Sequence, residues 1–178
     1  MTEAVDTCDD IVDLPKMRLA NPGDEGVLMD MVHLLHKERG LRDQNNDPFE
    51  LDVEKYREVV YSATSPDKML NPWPIWIGMV NFAGDLAGSV ALQIMEPWYS
   101  RRQFVGEVWN FVLPEYRKTG AGKMLINFSK GVADSLGLQL VMGVMSTERQ
   151  PAKMRFYERS VGVQPLGGFF LYHPKAKS

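Results

Sequence analysis

A glycine-bearing loop set between a strand-like run and an amphipathic segment constrains this chain more than any other feature. From Pro114 the sequence reads Pro-Glu-Tyr-Arg-Lys-Thr-Gly-Ala-Gly-Lys-Met-Leu-Ile. The apolar run Phe104 to Leu113 before it ends at Pro114, which has no N–H for a sheet ladder. After it, Met124, Leu125, Phe128 and Val132 recur at helical spacing as far as Leu136, where Gly137 stops the pattern. A strand that passes directly into a helix presents unpaired N–H groups and the positive end of the helix dipole at the junction. Gly120 and Gly122 carry no Cβ to hold a ligand away, and Arg117, Lys118 and Lys123 add full positive charges. The loop is built for an anion, and a pyrophosphate is its natural guest.

Spacing excludes two familiar phosphate loops. A P-loop requires glycine five positions before Gly122 and Ser or Thr after the lysine, where this chain has Arg117 and Met124. A dinucleotide fingerprint requires glycine three positions after Gly122, where Leu125 stands, and an early βαβ unit that is missing here.

The remaining segments give an element order. Lys16 to Ala20 alternates polar and apolar and leads through Asn-Pro-Gly-Asp-Glu turn chemistry into a helix. That first helix runs from Asp24 to Arg39, with Leu28, Met31 and Leu35 as its stripe and Val27, Val32 and Leu34 broadening it, and Gly40 caps it. Asp47-Pro48-Phe49-Glu50 has the form of a capping box for a second helix through Val53, Tyr56, Val59 and Val60, with Asp52 as a rival cap. Ile75 to Phe82 and Leu86 to Met95 form a hairpin around Ala83-Gly84-Asp85. After the glycine loop and its helix comes a strand from Leu138 to Met145. A helix from Pro151 to Gly162 follows, and then a closing strand from Leu166 to Tyr172. With no internal repeat, this order predicts an α/β or α+β fold, a central mixed and mostly antiparallel sheet flanked by about four helices.

The 178 residues suit one domain, with residues 1–15 as an acidic mobile arm and 16–178 as the folded body. Five of the 23 acidic residues precede Lys16, so a formal charge of -3 leaves the body slightly basic. That balance argues against a protein that coats nucleic acid. Cys8, the single cysteine, can form no internal disulfide, and the chain shows neither a signal sequence nor a long apolar stretch. A cytoplasmic protein away from membranes is expected. His33 and His36 lie near each other on a helix, but no third ligand accompanies them, so no metal is expected. Trp73, Trp76, Trp98, Tyr99 and Trp109 read chiefly as sheet core and rim, with the walls of an acceptor pocket as their other role.

Arg117-x-x-Gly120-x-Gly122, preceded by Val112-x-Pro114 and followed later by Phe-Tyr-Glu-Arg at Phe156 to Arg159, resembles the GNAT superfamily of N-acetyltransferases. The resemblance covers residues 16–172 and extends weakly to small acetyltransferase-like proteins of tailed phages. It implies acetyl-CoA as cosubstrate, gripped by Arg117, Lys118, Thr119, Gly120, Ala121, Gly122 and Lys123. Phe111, Val112 and Leu113 would supply main-chain contacts and the oxyanion donor. Gln150, where relatives often carry asparagine, would hydrogen-bond the pantetheine.

The same resemblance implies direct acetyl transfer to an amine. Glu107 is the expected general base, Glu96 and Glu148 are its reserves, and Tyr157 is the acid that protonates the departing thiolate. Glu107 lies about one residue from the family's frequent offset, and a one-residue slip along a strand reverses the face. The acceptor region would span residues 33–50, including His33, His36, Arg39 and Arg42. The expected acceptor is a primary amine of a small molecule or protein. A catalytically silent acyl-CoA-binding module and a nucleic-acid-modifying enzyme are the competing functions. The Phe169 to Tyr172 strand would be either an exposed pairing edge, which would allow a homodimer, or a buried one.

Overall fold

The computed structural model describes residues 14–38, 51–65, 75–144 and 149–167. Among them, five strands form one sheet in the order β1 (Lys16–Leu19), β2 (Ile75–Phe82), β3 (Asp85–Met95), β4 (Phe104–Val112) and β5 (Gln139–Val141). The pairs β1–β2, β2–β3 and β3–β4 are antiparallel, and β4–β5 is parallel. The four α-helices of the described residues are α1 (Glu25–Glu38), α2 (Val53–Thr64), α3 (Ala121–Leu136) and α4 (Gln150–Val161). None of them is long and apolar enough to cross a membrane.

The sheet carries a core on each face. Leu28, Met31, Tyr56 and Val60 of α1 and α2 pack on Ile77, Met79, Ala91, Trp109 and Phe111. On the other face, Leu125 and Ala133 of α3 pack on Val80, Val90, Leu92 and Val105. Trp109 lies in the first core, its ring 5.4 Å from Tyr56 and its indole N–H donating to Ser89 Oγ at 2.9 Å. Trp98 and Tyr99, by contrast, stand 96% and 75% exposed on the β3–β4 connection, so neither is core.

Local chemistry explains the element ends. Asn21 accepts from Gly23 N–H at 2.9 Å and donates its own N–H to Asp24 at 2.8 Å, a capping box that turns the chain from β1 toward α1. Arg18 clamps the Asp24 carboxylate with bonds of 2.6 and 2.7 Å. The α2 cap is Asp52, which accepts from Lys55 N–H at 3.0 Å; the Asp47 to Glu50 box lies outside the described residues. In α1 the buried stripe is narrower than the sequence suggests, because Val27 and Leu34 are exposed. The hairpin turns on Ala83 and Gly84, both at positive φ, while Asp85 already pairs with Phe82.

The strand expected from Leu138 to Met145 is shorter in the structure. Of residues 138–144 only Gln139–Val141 pairs, opposite Phe104 to Gly106, and the pairing of β4 with β5 ends there; Met145 lies outside the described residues. The closing strand expected over 166–172 shows no strand at 166–167, and its remainder lies outside the described residues.

Candidate active site

The separation of β4 from β5 opens a cavity of about 600 Å³. Its walls come from β4, from the apolar segment 141–144 after β5, from the glycine loop and from α4. Val141, Met142, Gly143 and Val144 line it, which explains an apolar run that does not continue as a paired strand.

Which way Glu107 faces depends on a β-bulge. Leu92 is opposite Glu107 and Ala91 is opposite Trp109, so Val108 has no partner on β3. Strict alternation would put Glu107 on the face of Trp109 and Phe111. The extra residue reverses the parity, and Glu107 shares its face with Leu92, Val105 and Asn110 instead. The one-residue excess in the spacing of Glu107 is absorbed at Val108, which packs against the opposite core.

Across the cavity, α4 delivers Tyr157. Its phenol donates to Glu107 Oε2 at 3.0 Å. Burial pushes the Glu107 carboxyl up to about 7, against the opposing pull of Tyr157, the Gly143 backbone and the Asn110 side chain. The Tyr157 phenol is raised well above its ordinary value, first by burial and then by the neighbouring Glu107 charge. The two groups therefore differ widely in acidity while sharing one hydrogen bond, as an acid–base pair requires.

The glycine loop fits the anion role. Gly120 caps α3 with φ of 87°, a conformation that disfavours side chains. A Cβ on Gly122 would approach Phe156 Cζ to 3.2 Å, so the bare backbone keeps the cradle open. Of the first amides of α3, Lys123 N–H donates to Gly120 O at 3.0 Å and Ala121 N–H makes a long contact of 3.4 Å to Thr119 Oγ1, so Ala121 and Gly122 present the least committed donors. Arg117, Gly120, Gly122 and Lys123 line the cavity. Lys118 is exposed, Ala121 is buried in the core, and the Thr119 hydroxyl donates to Tyr116 O at 2.7 Å.

Main-chain directions on β4 follow from one bond. Leu113 N–H donates to Ala87 O at 2.9 Å, so in an antiparallel ladder Leu113 and Phe111 point to β3. Asn110 and Val112 then point their N–H and C=O groups into the gap toward β5. The Val112 carbonyl accepts there from Arg117 Nε at 3.2 Å.

Several expected positions lie apart from the cavity. Gln150 is exposed at the first turn of α4, while Arg149, Ala152 and Lys153 line the cavity beside it. Glu96 accepts from Gln103 on the β3–β4 connection. Glu148, Arg39, Arg42 and Trp73 lie outside the described residues. Among the described residues no cluster of His, Cys, Asp or Glu could hold a metal. Asn110, Arg149, Lys153 and Glu38 line the cavity as well, though no motif in the sequence marks them. The lone usable signal was the polar Asn110 inside an apolar strand.

Comparison with known proteins bears on the fold and the family. The sequence profile of the Acetyltransferase (GNAT) family matches residues 40–163. A search of curated protein sequences returns no match. Among solved structures, the aminoglycoside acetyltransferase meta-AAC0020 from an uncultured soil metagenomic sample superposes with a TM-score of 0.62 at 13% identity, covering 91% of this chain and 97% of that one. The ribosomal-protein-alanine N-acetyltransferase of Brucella melitensis biovar Abortus 2308 gives a TM-score of 0.62 at 13% identity, covering 91% and 99%. AAC(6')-Iy, solved with a bisubstrate analogue of CoA and acetylneamine, gives 0.60 at 14%, covering 91% and 99%. With that profile spanning more than half of its length, the chain belongs to the GNAT family of acetyltransferases.

Proposed function

We propose that this protein is an acetyl-CoA-dependent N-acetyltransferase acting on a primary amine of a small molecule or a protein. The observation that carries the reading is the Tyr157–Glu107 hydrogen bond of 3.0 Å on the wall of a cavity that also receives the glycine loop. Arg117, Lys123 and the first amides of α3 would hold the diphosphate of acetyl-CoA. When bound, acetyl-CoA supplies an acetyl group activated as a thioester.

Glu107 takes the proton that an alkylammonium, with a pKa of about 10.4, must lose before its nitrogen can attack. The main-chain N–H groups of Asn110 and Val112 are the donors available to a developing oxyanion. Tyr157 gives its phenolic proton to the departing sulfur and recovers one from Glu107. The pair thus moves one of the two protons that the nitrogen loses on to sulfur; the second, lost as the amide forms, passes to the freed Glu107 carboxylate and from there to solvent.

Both small-molecule and protein acceptors occur among similar folds, an aminoglycoside acetyltransferase in one case and a ribosomal-protein-alanine acetyltransferase in another. Fold likeness does not choose between them.

Calorimetric titration with acetyl-CoA tests the reading, using the parent, Arg117→Ala and Gly122→Asp. Binding by the parent that both substitutions weaken supports it, and an amine screen scored by acetyl transfer follows. A folded parent that fails to bind overturns it. Binding without turnover of any amine identifies an acyl-CoA-binding module instead.

A further inference from the structure

The arginine expected to meet a diphosphate is paired with a carboxylate of the chain itself. Arg117 Nη2 donates to Glu38 Oε1, its Nε donates to the Val112 carbonyl, and its guanidinium lies over the Phe111 ring at 5.7 Å. Glu38 lies in the last turn of α1, where the helix dipole disfavours negative charge. Its side chain is nevertheless only 18% exposed, and it lines the same cavity as Gly120, Gly122 and Lys123. A carboxylate held at the unfavourable end of a helix, inside an anion cradle, stands where an anionic ligand group would compete for the same arginine.

We propose that Glu38 is a specificity residue that occupies Arg117 until a diphosphate displaces it. The inference rests on the acyl-CoA reading of the glycine loop. A lone carboxylate or monophosphate gains little by the exchange, because it replaces one charge-assisted bond with another. A diphosphate can accept from Arg117, from Lys123 and from the α3 amides at once, so it gains contacts that Glu38 cannot make. Glu38 thus raises the threshold for entry and filters anions by charge and by the number of acceptors they bring.

The test is calorimetric binding to the full chain and does not depend on turnover. Parent and Arg117→Ala are titrated first with acetyl-CoA, which establishes the cradle independently of Glu38. Glu38→Gln is then expected to bind acetyl-CoA about fivefold more tightly, the factor that a modest ion pair lost only from the free state would return. S-acetylpantetheine, which lacks the diphosphate, is expected to bind parent and variant alike. Inorganic phosphate is expected to compete with acetyl-CoA more strongly in Glu38→Gln than in the parent. Glu38→Asp, which keeps the charge, is expected to stay near the parent, and Glu38→Ala, expected to tighten acetyl-CoA binding as Glu38→Gln does, serves as a second variant should Glu38→Gln fold poorly. Unchanged or weaker acetyl-CoA binding by a folded Glu38→Gln overturns the proposal while leaving the cradle intact, since Glu38 would then only position Arg117. A folded parent that does not bind acetyl-CoA overturns both.

Discussion

The Tyr157 hydroxyl donates to Glu107 Oε2 at 3.0 Å, joining residues 50 positions apart in the chain. The bond exists because a bulge at Val108 rotates Glu107 toward the face on which α4 packs. A carboxylate in this setting is poised near neutrality, and a phenol beside it keeps its proton. That is the distribution a base and an acid need at the same pH.

The pH dependence of kcat/KM reads this pair directly. A base whose carboxyl is raised to about 7 is protonated and inactive at pH 5, so activity should rise with pH and level off above neutrality. Tyr157→Phe removes a hydrogen bond that favours the ionised carboxylate, so the rising limb should move to higher pH while activity falls. A limb that stays in place would assign the titration to another group.

Stability follows the opposite sense. Folding raises the Glu107 pKa above its unfolded value, so the folded state binds the proton more tightly between roughly pH 4.5 and 7. Its contribution is fully present below the unfolded pKa and is lost as pH rises through about 7. Glu107→Gln should therefore flatten the dependence of urea midpoint on pH over this window, and gain relative to the parent at pH 8. The same variant should lose about 10²- to 10⁴-fold in turnover while still binding acetyl-CoA.

The glycine loop was legible because its signals are local: Arg117, Gly120 and Gly122 lie within six residues, and the strand before and helix after them are marked by Pro114 and by apolar spacing. The hairpin and the parallel β4–α3–β5 unit were legible for the same reason. The facing of Glu107 was not, since parity counting presumes an unbroken ladder and the bulge is set by pairing with Ala91 and Leu92. Glu38 was hidden by its separation of 79 residues from Arg117. The run after Leu138 misled by its apolarity, which reflects a cavity wall as much as a strand. At α2, two acidic residues offered equivalent caps, and helix geometry selected Asp52.

Moving the carboxylate by one position tests the bulge. In the double variant Glu107→Val with Val108→Glu, the acid would point to the core of α1 and α2 that Val108 now contacts. Activity should vanish, with folding weakened by a buried charge. Deleting Val108 alone restores simple alternation and keeps Glu107 on the cavity side, so transfer should persist, reduced by up to about 10²-fold through small misplacement. Equal loss in both variants would mean that the bulge itself, and not the face it selects, is required.

The β2–β3 turn offers a gain in stability far from the chemistry. Ala83 is held at φ of 52° beside Gly84 at 92°, a two-residue turn in which both central positions are left-handed. Alanine is poorly suited to that region, whereas asparagine tolerates it and hydrogen-bonds locally. Ala83→Asn should stabilise the domain by about 0.5–1 kcal/mol, read as a higher urea midpoint with an unchanged slope. Acetyl-CoA binding should not change, because neither Ala83 nor Gly84 lines the cavity. A lower midpoint would show that Ala83 is held in this conformation by the pairing of Phe82 with Asp85 at no net cost.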